Sequence, residues 1–166
     1  MKKILFCLLV LFSAVGSAYS NNNGSTKIIG GHQVQVTGEN DQYIFIKRKL
    51  LGGSWNGIYD KQEQIFFFYQ ISYSDKPHFF NIETISFPSK TNPSKMSVIM
   101  KSEFICSKGV SRLTVFDVSD QYYGEGNRSP WMKDGYSLIN GAKQEFLPFD
   151  SSLESLVMKD FCAQQK

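Results

Sequence analysis

Few residues beyond position 20 have the chemistry to catalyse or to hold a metal. Two histidines, His32 and His78, and two cysteines, Cys106 and Cys162, are widely separated along the chain. Zinc sites are built from ligand pairs two to five residues apart, and none of these four has such a neighbour. Asp117, Asp120 and Glu125 cluster locally, but their spacing matches no EF-hand loop, so they read as a solvated turn. The "GEG" at 124–126 lacks the third glycine and the strand-to-helix setting of a dinucleotide loop. Asn127-Arg128-Ser129 has the form of a glycosylation acceptor, but a "MKK" start is bacterial in style and makes that moot. No serine, base and oxyanion donor come together, so the chain reads as non-enzymatic, with no cofactor.

One short stretch argues the other way. Residues 25–32 read "STKIIGGH", and a basic residue before Ile-Ile-Gly-Gly is where a trypsin-like zymogen is cut. That fold needs two β-barrels, and about 140 residues after Lys27 are too few to build them. The other histidine, in "DKPHFF", has no activated serine in a glycine-rich loop to serve. The plainer reading is that Ile28 and Ile29 open an edge strand and Gly30-Gly31 makes a bend.

The first twenty residues, "MKKILFCLLVLFSAVGSAYS", have the basic start, apolar run and small-residue end of a cleaved export signal. The run from Ile4 to Phe12 is shorter than the roughly 20 residues that span a bilayer. Cys7 lies inside the run and not after it, which argues against a lipid anchor. Export to the periplasm, the cell surface or the medium is therefore expected, with no transmembrane segment left after cleavage. Without the two leader lysines, 16 basic residues stand against 15 acidic ones, and a net +1 gives no reason to expect nucleic acid. Cys106 and Cys162 are then the remaining pair, and in an oxidising compartment they are expected to form a disulfide. Closing so long a loop is worth roughly 4 kcal/mol in the chain-entropy model.

These features need elements to position them. Residues 21–40 are polar at their start and read as a flexible segment ahead of one domain over 41–166. Strands are expected at 43–49, 64–73, 79–87, 96–106 and 110–119, where apolar residues alternate between turn signals. In the strongest of them, Ile65, Phe67, Tyr69, Ile71 and Tyr73 share one face, with Gln70 and Ser72 on the other. "LLGGSWNG" at 50–57 reads as a loop, "DQYYGEGNRSPW" as a turn-rich aromatic segment, and "YSLINGAKQEFLP" as irregular or a weak edge strand. The period changes at the end, where Leu153, Leu156, Val157 and Phe161 fall at helical spacing behind a capping box of Ser151 and Glu154. Together they give an α+β domain: one antiparallel sheet of about six strands and a C-terminal helix tied to it through Cys106 and Cys162.

Several of these pieces, taken in order, resemble the surface-adhesin protein E family of small exported Gram-negative proteins. They are "IYDKQ" and "IFFFYQISYSDKP", then "KSEFIC" and "SRLTVFDVS", then "QYYGEGN" with Tyr122, Tyr123, Gly124 and Gly126, "SPW" with Trp131, and the terminal "SSLESLVMKDFCAQQK". The resemblance covers about residues 43–166. It implies the same six-stranded sheet and helix, and a binding role at the cell envelope toward host extracellular-matrix or plasma proteins. Lys90, Lys95, Lys101, Lys108 and Arg112 against Glu103 make a local +4 suited to such partners or to polyanions. Exposed aromatics at Tyr122, Tyr123 and Trp131 would supply anchors. Two other roles compete: a periplasmic structural or envelope-stress protein, and a small-ligand carrier, haem-like, with His78 as a guessed axial ligand.

Overall fold

A computed structural model describes residues 24–89 and 96–165. The export signal expected at 1–20, Lys90 and Lys95 lie outside the described residues. The strands are β1 (Ser25–Ile29), β2 (His32–Glu39), β3 (Tyr43–Leu50), β4 (Gly53–Asp60), β5 (Ile65–Tyr73) and β6 (Phe80–Pro88). They continue with β7 (Ser97–Ile105), β8 (Val110–Ser119), β9 (Arg128–Lys133) and the two-residue β10 (Tyr136–Ser137) and β11 (Leu147–Pro148). A 3-10 turn at Tyr122–Gly124 joins β8 to β9, and α1 (Leu153–Ala163) is last. Each strand from β1 to β10 pairs antiparallel with the next, and β11 pairs with β8.

The expected six-stranded α+β layer is thus corrected to a mostly β fold, one sheet of eleven strands with a single helix. The additions fall where polar or glycine-rich residues were read as loop. Within the segment expected to be flexible, Val34 and Val36 of "HQVQVTGE" point inward and are buried, an alternation masked by its polar partners. The supposed loop at 50–57 is mostly β4, and its turn is only Leu51 and Gly52, both at positive φ. Gly57 sits mid-strand because Ile46 and Phe68 close over it. A Cβ there would lie 2.8 Å from Ile46 Cγ1 and 2.8 Å from Phe68 Cδ1. Arg128 to Trp131, read as turn, belong to β9, which is registered on β8 from Ser119 to Phe116.

β5 is buried on both faces, not on one. Phe66 and Phe68 enter one core with Val34, Ile46, Trp55, Ile85, Phe87, Ile99 and Tyr123. Phe67 enters a second core with Ile58, Ile82, Phe104, Val157 and Met158. The first core is covered by the sheet itself. Register shifts after Val36, Lys101 and Phe116 add twist, and the early strands curl back over β5 and β6. His32 reaches the rings of Phe66 and Phe87 at 5.2 and 5.3 Å, and Gly30 sits against Ser89 at the end of β6.

The second core is covered by α1. Its N-cap is Ser152, one residue later than the expected Ser151, and accepts from Ser155 N at 3.2 Å. Met158 is 1% exposed and Val157 is buried, while Leu156, expected inward, points to solvent. The Cys106–Cys162 disulfide, Cα–Cα 5.2 Å, ties the helix to the residue after β7.

Two substitutions test this packing. Replacing Cys106 and Cys162 together by Ala is expected to lower unfolding free energy by ~2–4 kcal/mol in urea titrations. Gly57→Ala is expected to cost ~1–3 kcal/mol, because the added methyl overpacks a closed site.

Candidate functional site

Among the described residues of the expected patch, two of the three basic side chains are held in ion pairs. Lys101 on β7 pairs with Glu83 on β6 at 3.2 Å. Arg112 on β8 pairs with Glu103, which also holds Lys76 at 2.8 Å. Burial favours the neutral acid, yet hydrogen bonds from Lys76 and Arg112 outweigh it and keep the Glu103 carboxyl below its usual range. The Arg112 guanidinium also lies 4.8 Å from the Phe146 ring centre, so its charge is engaged on two sides. Lys108 is exposed in the β7–β8 turn. Cross-strand register explains the pairing, since Glu83 faces Lys101 and Glu103 faces Arg112.

Two of the three aromatic anchors are also displaced from the expected role. Tyr123 is 8% exposed and belongs to the first core, and Tyr122 packs partly buried beside it. Tyr123 is held at φ +62, a left-handed conformation costly for a tyrosine. The turn is fixed by Ser97, whose hydroxyl donates to Gln121 O at 2.7 Å and accepts from Gly124 N at 2.9 Å. Gly124, at φ +70, lies against Ile99 where a Cβ would be 3.2 Å away.

Around Tyr123 is a cluster that sequence reading missed. The Tyr123 hydroxyl and His32 Nδ1 are 2.7 Å apart. The His32 ring also meets Tyr122 and Tyr123 edge-on, at 5.0 and 5.4 Å. Arg48 from β3 lies 4.0 Å from the Tyr123 ring centre and donates to Gln33 O. Burial, then Arg48, lowers the His32 pKa. Burial pushes the Tyr123 phenol up to about 12. His32 was visible only as a lone histidine in a polar segment, and no local pattern ties it to a tyrosine 91 positions away.

A polar trough of about 570 Å³ opens where β4 and β5 separate after the Asn56–Tyr69 pair. Its side chains are largely engaged with one another: Gln70 donates to Ser54 O, Thr114 donates to Lys101 O, and Lys101 meets Glu83. His78 stands exposed in the β5–β6 turn at φ +67. Among the described residues no three His, Cys, Asp or Glu side chains gather to hold a metal ion. No described helix is long and apolar enough to cross a membrane.

The third expected anchor does face solvent. Trp131 on β9 is 50% exposed, with Phe116 at 6.1 Å behind it. Leu138 N donates to Trp131 O at 2.9 Å, which sets the exposed Leu138 and Ile139 next to the β9–β10 hairpin. Tyr136 is exposed in the same hairpin, with Lys143 over its ring. This is the widest collection of large apolar side chains left in water among the described residues. Comparison with family models, with curated proteins and with solved structures returns no match.

The start of α1 carries a further testable feature. Glu154 Oε1 is buried without a hydrogen-bond partner. Burial raises the Glu154 pKa, a Ser102 hydrogen bond opposes the rise, and Asp150 adds to it. Asp150 itself is pulled down to about 2 by hydrogen bonds from Ser152 and Ser155. A raised folded-state pKa means that folding favours protonated Glu154, so its ionised form weakens the fold at neutral pH. Glu154→Gln is expected to raise the urea midpoint at pH 7, with the gain over wild type shrinking as pH falls toward the ordinary carboxylate range. A lower midpoint for the variant at pH 7 would contradict this.

Proposed function

We propose that the chain is an exported, non-enzymatic binding protein that holds a protein partner through the Trp131 surface. The observation that carries this reading is the exposed apolar group at the β9–β10 hairpin, Trp131, Tyr136, Leu138 and Ile139. Its aromatic members are of the type that anchors interfaces, being large, rigid and able to combine apolar contact with a hydrogen bond. The hairpin is supported from behind by Phe116 and by backbone hydrogen bonds, so the anchors are presented with little ordering cost. The disulfide between Cys106 and Cys162 fits a protein that works outside a reducing compartment. The proposed kinship with surface-adhesin protein E rests on the ordered motifs from "IYDKQ" to the terminal helix. Within it, host matrix or plasma proteins are the partners proposed.

The free basic patch is not part of this reading, since Lys101 and Arg112 are paired. Tyr123 is core and drops out as an anchor.

Binding of the purified protein to a panel of purified matrix and plasma proteins, followed by interferometry, tests the proposal. At least one is expected to bind, and Trp131→Ala is expected to weaken that binding tenfold or more with little change in melting temperature. A panel without binding, or a Trp131→Ala variant that binds as well as wild type, overturns it. Protease treatment of intact cells separates display from a periplasmic role, since a displayed protein is cut before lysis.

A further inference from the structure

The β1–β2 hairpin is held across the first core by one polar contact set among aromatics. His32 opens β2, directly after the Gly30-Gly31 turn, and its neighbours come from five other elements. β5 and β6 present the uncharged rings of Phe66 and Phe87. The turn between β8 and β9 presents Tyr122 and Tyr123, with Glu125 acting on Tyr123 from beyond it. β3 presents Arg48, the charge that acts on the imidazole. On β1, the residue in register with His32 is Ile29. Glu125 is the carboxylate of this set, and it acts on Tyr123, whereas the imidazole is acted on by burial and by Arg48. The only polar contact described for the ring is Nδ1 with the Tyr123 hydroxyl. Buried as that phenol is, it stays protonated, and the latch takes the His32 tautomer in which the phenol O–H donates to Nδ1.

We propose that His32 and Tyr123 form an acid-released latch, which holds the β1–β2 hairpin over the first core at neutral pH and lets it open on acidification. Protonation at Nδ1 turns the acceptor into a donor, facing a hydroxyl that has been donating to it. It also sets a cation beside Arg48 on a partly buried ring against an aromatic wall, where burial and Arg48 both oppose the charge. Opening returns the imidazolium to water and exposes Phe66, Phe87 and Tyr123. The β1–β2 hairpin is the segment free to leave, because β1 is an edge strand and β2 pairs onward only with β3. Acid would then uncover a second aromatic surface, independent of the Trp131 hairpin.

The direction of the pH dependence follows from linkage. Closed-state His32 has a lowered pKa, so the open state binds more protons and stability falls as pH falls. The loss begins near the ordinary histidine value of about 6.5 and is complete below the closed-state value. One proton permits at most about a tenfold rise in the opening constant per pH unit.

Amide exchange along β1 and β2, read by mass spectrometry at pH 7.5 and pH 5 and corrected for intrinsic pH dependence, tests the latch. Wild type is expected to lose protection there by about threefold or more, while the β5–β7 amides hold theirs. His32→Phe keeps an aromatic ring and is expected to abolish the difference between the two pH values. Tyr123→Phe keeps the ring and removes the hydroxyl, and is expected to weaken protection at pH 7.5. Unchanged β1–β2 protection in wild type at pH 5 overturns the proposal, as does a His32→Phe variant that keeps the wild-type pH response. Should His32→Phe not fold, the imidazole carbon shifts of wild type decide. His32 must titrate below the ordinary value over the same pH range in which the hairpin opens, and titration at or above that value overturns the latch.

Discussion

Three consecutive phenylalanines on β5 alternate between two separate cores, and the other elements can be understood as cover for one side or the other. Phe66 and Phe68 are 0% exposed on one face and Phe67 is 4% exposed on the other. A strand with solvent on one face cannot carry such a run, since each exposed phenylalanine forfeits ~1.5–3 kcal/mol of burial. The chain meets this demand in two ways. It lays α1 on the Phe67 side and curls β1–β4 over the Phe66 and Phe68 side.

The two covers are secured differently. α1 is short for an independent helix, at 11 residues, and depends on its packed face, the Ser152 cap and the bond to Cys106. The curl has no covalent tie. It depends on the close approach of Gly57 to Ile46 and Phe68, on Gly30 against Ser89, and on the contact between His32 and the turn at Tyr123. Acid relieves the ionised Glu154 at the start of the covalent cover, whereas in the proposed latch it acts against the noncovalent one at His32.

Placement also decides which surface is left to act. On β6, β7 and β8, Glu83 faces Lys101 and Glu103 faces Arg112, and each couple forms an ion pair. Large apolar side chains stay in water at the β9–β10 hairpin, where the sheet narrows to a two-residue strand and cannot bury Trp131 or Leu138. An interaction surface there follows from the sheet running out of cover, and needs no net charge.

Period-two alternation determined β3, β5, β6, β7 and β8 from the residues alone, and the change to a 3.6 period determined α1, because local burial patterns survive in local sequence. The Cys106–Cys162 bond is the pair expected on the reading that residues 1–20, with Cys7, are a cleaved leader. The tertiary structure alone decided the rest. Gly57 reads as a loop residue until Ile46 and Phe68 are seen to fill its place. Tyr123 reads as an exposed anchor until the curl brings His32 and Arg48 to it from β2 and β3. Lys101 and Arg112 read as a patch until register sets a glutamate across from each. In every such case the deciding neighbour is remote in the chain, and a one-dimensional pattern holds no information on which distant residue will arrive.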